Sequence, residues 1–150
     1  MTPIRLDDFL PYRLAVLSHR LSEALAAIYE DLHRLSTPQW RVMAAVADVP
    51  GRTAQDVVRM TPMEKATVSR AVSALIGRGF LKREADDRDG RAARLFLTEA
   101  GRAAYADIAP AVSAVEARLE AALPNGARTR ILQTLASLET ALDTASSVDA

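Results

Sequence analysis

The 150-residue chain has no cysteine, which excludes disulfides and thiol chemistry and fits a cytoplasmic protein. It has no long uncharged apolar run, so no membrane-spanning helix is expected. Its start, "MTPIRLDDFLPYR", carries acids where a secretory signal needs a basic segment and then an apolar one. Histidine is scarce: His19 and His33 are the only two. Fourteen residues apart on one helix, they lie roughly 21 Å from each other and cannot share a metal within one chain. No glycine-rich phosphate loop and no nucleophile elbow occurs. No catalytic residue, metal or cofactor is therefore expected. One soluble intracellular domain over residues 1–150 is the reading that remains.

What is present is an ordinary globular composition, 49% hydrophobic and 25% charged, enough to bury a core. The net charge is zero, yet it is unevenly placed. Residues 37–97 hold eleven Lys/Arg against seven Asp/Glu, a net of +4, and the remainder is −4. A basic middle between acidic ends is compatible with a polyanionic partner for the middle alone.

Hydrophobic spacing sets out the elements. Leu10, Leu14, Leu17, Leu21, Leu25, Ile28, Leu32 and Leu35 recur by threes and fours, a helical stripe with Pro11 in its first turn. "STPQWRVMAAVADVPG" predicts a second helix, capped by Ser36 or Thr37 with Pro38 just inside and Pro50-Gly51 as its stop. "RTAQDVVRM" predicts a short third helix capped by Thr53. "TPMEKATVSRAVSALIGRG" predicts a fourth, with Thr61 as cap, Pro62 first and Glu64 closing a capping box, ending at Gly77 or Gly79. "FLKRE" and "ARLFLT" read as two short strands around an Asp89-Gly90 turn. Thr98 or Glu99 opens a fifth helix, which Pro110 is expected to kink. After "LPNGAR", Ile131, Leu135, Leu138 and Leu142 mark a sixth. The fold class is thus mainly α with a small β-hairpin: a winged helix-turn-helix over residues 37–98, flanked by long helices over 6–35 and 99–146. Those outer helices are too apolar on one face to stay exposed. Leu14, Leu17, Ile131, Leu135 and Leu138 are expected to bury against another subunit or to support that contact.

At 100° per residue the fourth helix sorts its side chains. Val68, Val72, Leu75 and Ile76 face inward, and Ala66, Ser69, Arg70, Ser73 and Gly77 face outward. The outer face is small, hydroxylated and basic, with no acid in its middle turns. Such a face can enter a major groove, arginine pairing with guanine edges, hydroxyls with phosphates or bases, and the alanine methyl with thymine. Lys65, near the helix start, is placed for phosphate. An ordinary solvated surface is the competing reading. In the hairpin loop, Arg88 and Arg91 flank the Asp89-Gly90 turn and could enter the minor groove, with Asp86 placed to pair with an arginine and hold it extended. A calcium loop aligned on Gly90 fails, because Ala85 and Phe96 fall at two obligatory ligand positions.

Asp86-x-Arg88, then Asp89-Gly90-Arg91 and "LFLTEAG", resemble the wing signature of the MarR (multiple antibiotic resistance regulator) family. "TVSRAVSALIGRGFLKRE" resembles its recognition helix running into the wing, and "TPQWRVMAAVADVPG" its second helix. The resemblance implies a homodimeric DNA-binding regulator built on the terminal helices. Two recognition helices would sit on a pseudopalindromic operator, with repression released by a small molecule. Its DNA contacts would come from Lys65, Ala66, Thr67, Ser69, Arg70, Ser73, Asp86, Arg88 and Arg91, with Arg88 in the minor groove and Asp86 its organiser. Oxidant sensing through cysteine is excluded. "FLPYRLAVLSHR" resembles members that regulate aromatic-acid catabolism, so Arg13 is a candidate to grip a carboxylate, with Tyr12, His19 and Trp40 beside it. A surface or inter-subunit salt bridge is the other reading of Arg13. The alternative function is a winged-helix protein–protein interaction module without operator binding.

Overall fold

A computed structural model describes residues 3–86 and 93–146 of the chain. The elements are α1 (Leu10–His33), α2 (Thr37–Asp48), α3 (Ala54–Met60), α4 (Lys65–Gly77), β1 (Leu81–Ala85), β2 (Ala93–Leu97), α5 (Glu99–Ala121) and α6 (Ala127–Ser146). Their order is the one expected from spacing. Among the described residues, no helix is long and apolar enough to cross a membrane. The chain divides into two compact units, Met1–Val112 and Ser113–Ala150.

Local chemistry explains the boundaries in the first unit. α1 ends where Arg34 turns left-handed at φ 53°, its N–H reaching Glu30 O while Leu35 N–H reaches Tyr29 O. Leu35, expected to extend the helical stripe, instead lies beyond that cap and is buried at 1% exposure. α2 opens on a capping box: the Ser36 hydroxyl accepts from Gln39 N–H, and the Gln39 side chain accepts from Ser36 N–H. Thr53 and Asp56 do the same for α3. The Asp56 carboxylate takes the Thr53 N–H at 2.9 Å and its hydroxyl at 2.8 Å, and these two bonds hold its pKa below the ordinary carboxylate value.

The fourth helix begins later than its sequence predicts. Thr61 belongs to α3 as its C-cap, donating its hydroxyl to Val57 O at 2.7 Å, and α4 starts at Lys65 with Glu64 as a cap that makes no side-chain bond. The intervening Pro62 and Met63 form the connection, and Met63 is buried against the core. The core itself gathers Val42, Met43 and Val46 of α2, Val57 of α3, Val68, Val72 and Leu75 of α4, Leu81 and Leu95 of the hairpin and Ile108 of α5. Above it three rings stack: Tyr29 on Trp40 at 5.8 Å and Trp40 on Tyr105 at 5.5 Å, the planes within 16° and 13° of parallel. The stack joins α1, α2 and α5. α5 continues as a helix through Pro110.

Many of the apolar residues that the core leaves out fall on α1 and α6. Leu10, Leu14 and Leu17 are exposed along the first half of α1. In the second unit Ile131, Leu132, Leu135 and Leu142 are exposed on α6, with Leu138 half-buried. Arg128 fastens the base of α6 within that unit, 3.1 Å from Glu116 and 2.5 Å from Glu120.

Candidate nucleic-acid interface

α4 separates its two faces as its periodicity requires. Val68, Ala71, Val72 and Leu75 are buried, and Ile76, expected with them, is half-buried at the margin. Lys65, Ala66, Ser69, Arg70, Ser73 and Gly77 are exposed. Thr67 is half-buried, and its hydroxyl accepts a bond from the Arg70 guanidinium at 3.4 Å. That contact is long enough to yield to a better acceptor.

The hairpin stands beside this face. β1 and β2 are antiparallel, with Leu81 opposite Leu97, Arg83 opposite Leu95 and Ala85 opposite Ala93. Between α3, α4 and the hairpin lies a hollow of about 470 Å³, lined by Thr53, Val58, Lys65, Ser69, Arg83 and Leu95 among others. Arg83 was not singled out from sequence. The signal was present, since Arg83 follows the inward Leu81 by two residues and alternation puts both on the same face. Among the described residues, Lys65, Arg70 and Arg83 form no ion pair with an acid. Two cations without an acidic partner among the described residues, Lys65 and Arg83, therefore border this concave, hydroxyl-bearing hollow, and Arg70 is exposed on the same helix as Lys65.

Asp86 does pair with an arginine, and among the described residues that arginine is Arg94. Its Oδ2 lies 2.9 Å from Arg94 Nη2 and 3.1 Å from Nε. Arg94 Nη1 also donates to Gly51 O at 3.4 Å, and the backbone of β2 bonds to the α2–α3 loop, Gly51 N–H to Leu95 O and Leu95 N–H to Arg52 O. Arg94 thus ties β2 to the body, and its guanidinium is held by Asp86, an acid that a count of charges would treat as repelling a polyanion. Arg88 and Arg91 lie outside the described residues.

The four ligand candidates are not gathered in one chain. Tyr12 and Arg13 are exposed on α1, and His19 faces Glu23 at 3.3 Å. Trp40 is buried in the ring stack on Tyr29, which lies seventeen residues along α1 from Tyr12, roughly 25 Å away. His33, too far along the helix from His19 to share a metal with it, connects α1 to α5 through Asp107 at 3.0 Å. No group of three or more metal-binding side chains occurs among the described residues.

A helix-turn-helix with a hairpin tied to its flank, and a small basic outer face on its last helix, defines a winged helix-turn-helix protein. Comparison with known proteins narrows the class. The sequence model of the MarR family matches residues 33–92. A transcriptional regulator of the MarR family from Silicibacter pomeroyi, of known structure, is 30% identical, with 90% of each chain covered and a TM-score of 0.77. The chain belongs to the MarR family. It is also 31% identical over 86 residues to the transcriptional regulator HosA of Escherichia coli, 57% of this chain and 64% of HosA. The match therefore spans a little under two thirds of HosA. The transcriptional repressor CouR, solved bound to a 23-mer DNA duplex, is 25% identical, covering 92% of this chain and 99% of that one with a TM-score of 0.76.

Proposed function

We propose that the protein is a cytoplasmic, sequence-specific DNA-binding regulator that acts as a homodimer. In this reading residues 37–98 hold the DNA-reading unit, and residues 6–35 and 99–146 associate the subunits. The observation that carries it is the outer face of α4: small residues, hydroxyls and Arg70, with Lys65 and Arg83 alongside and no acid beyond Glu64. A helix with such a face can lie in a major groove, Arg70 and Ser69 toward base edges and Lys65 toward phosphate, with Ala66, Thr67 and Ser73 completing the surface. Asp86, through Arg94, sets the hairpin from which Arg88 and Arg91 reach the adjoining minor groove. The similarity to CouR, a repressor bound to duplex DNA, supports this reading. Exposed leucines on α1 and α6 support association, because patches of that kind on a monomer commonly mark an interface.

Selection of duplexes from a random pool by the purified protein tests the reading. Enriched sites are expected as inverted repeats with half-sites about one helical turn apart, as two symmetry-related helices require. Arg70→Ala should lose about 1–3 kcal/mol of discrimination at one position of each half-site. Asp86→Ala should weaken all sites, although it removes a negative charge. Tighter binding by Asp86→Ala would make the loop a mere charged turn, and a pool with no enriched sequence would sink the whole reading.

The regulator acts as a repressor released by a small aromatic carboxylate, for which Arg13 supplies the guanidinium. Arg13 is exposed beside Tyr12 and forms no ion pair among the described residues, so its charge is available to a ligand or a second subunit. Arg13→Ala is expected to abolish release by aromatic acids and to leave operator binding intact. Unchanged release would assign Arg13 to a salt bridge.

A further inference from the structure

Arg78 follows α4 directly, is exposed and carries a charge, so simple charge counting would give it to a phosphate. The structure uses that charge inside the protein. Its Nη2 donates to His33 O at 2.5 Å and its Nη1 to Arg34 O at 3.1 Å. Those carbonyls stand at the end of α1, where the helix leaves acceptors without intrahelical partners and the backbone dipoles favour a cation. The left-handed turn at Arg34 presents the two oxygens to one planar fork. The guanidinium also lies 4.7 Å over the Phe80 ring, which meets the His33 ring near-perpendicularly with centroids 6.2 Å apart. His33 in turn bonds Asp107 of α5. A residue 44 positions away in sequence thus fixes the exit of α4 to the last turn of α1.

We propose that Arg78 is a positioning residue: it holds the C-terminal end of α4 at a set angle to α1 and makes no contact with DNA. This rests on the reading of α4 as the DNA-reading helix. Since α1 also bears the exposed leucines of the expected subunit contact, the latch transmits the placement of that helix to the reading face. A phosphate contact and a latch differ in their salt dependence. Loss of a phosphate contact lowers the slope of log affinity against log salt by about one unit. Loss of a latch leaves the slope alone, because no counterion was released there.

Two measurements decide it. On the duplex that the wild-type protein selects, Arg78→Ala is expected to lose about tenfold in affinity, the scale of a charged hydrogen bond, with an unchanged salt slope. Arg78→Lys should recover only part of that loss, because an ammonium lacks the planar fork that spans both carbonyls. In the full-length protein without DNA, amide exchange should quicken together in residues 30–35 and 74–80 for Arg78→Ala and to a smaller degree for Arg78→Lys. A slope reduced by one unit, or full recovery by Arg78→Lys, overturns the proposal in favour of phosphate. Exchange that stays slow in both segments overturns it as well. A wild-type protein that selects no duplex would defeat the reading of α4, and the exchange measurement would still decide whether the latch exists.

Discussion

Gly101→Ala is expected to destabilise the protein by about 3 kcal/mol, the upper range of overpacking losses. A Cβ at this position would overlap the Phe80 carbonyl oxygen and stand 2.9 Å from its carbon. Both atoms are backbone and cannot rotate aside. The segment is also fastened at several points: Thr98 N–H donates to Phe80 O at 3.1 Å, the Thr98 hydroxyl donates to Gly79 O at 2.5 Å, and Gly101 N–H returns to that hydroxyl at 3.0 Å. The start of α5 is thereby pinned to the short segment through which α4 enters β1. Relief of the overlap must shift that segment and with it the end of α4. Gly77→Ala is the matched control, since nothing lies within 4 Å of a Cβ there and alanine suits a helix. Urea denaturation followed by circular dichroism measures both. A Gly101→Ala midpoint equal to that of the parent would show that the contact gives way without strain.

Trp40→Ala should lose about 3–5 kcal/mol, the range for removal of a large buried aromatic. Its ring sits between Tyr29 and Tyr105, so truncation opens a void and breaks two stacked contacts at once. Trp40→Phe keeps a ring in the stack and should retain most of the stability. The pair of variants separates a core residue from the wall of a ligand site. A core residue shows the large loss in the free protein, whereas a ligand contact shows it in effector response alone. A Trp40→Ala protein as stable as the parent would place Trp40 in the second group.

The sequence was most informative where one residue's chemistry acts on its near neighbours. Thr53 was recognisable as a cap, and the cap of α2 was narrowed to Ser36 or Thr37, because a hydroxyl just before an apolar repeat can meet an unpaired N–H without help from elsewhere. The face of α4 followed from periodicity alone. Thr61 misled for an equally physical reason. Thr-Pro-Met-Glu is a sound capping box in isolation, but the hydroxyl found the carbonyl of Val57 behind it, and burial of Met63 kept the next residues out of the helix. Local pattern does not say which of two helices owns a residue between them. Arg94 as the partner of Asp86 depends on strand register, and Gly101 on a close backbone approach across the hairpin base. Both are tertiary facts. Trp40 invited a ligand role because aromatic residues are common in binding sites, while the rings that enclose it come from α1 and α5, far along the chain.

The ties between β2 and the α2–α3 loop have a consequence for colloidal behaviour. β2 is bonded on both sides, to β1 on one and to Gly51 and Arg52 on the other. β1 has β2 as its partner among the described residues, which makes β1 the open border of the sheet. A bare strand border is a template on which a neighbouring molecule can add its own strand. Here Lys82, Arg83 and Glu84 are all exposed, Lys82 and Glu84 on one face of the strand and Arg83 on the other. Strand addition would have to strip water from three consecutive charged side chains, and that cost keeps the hairpins of crowded molecules from zipping together.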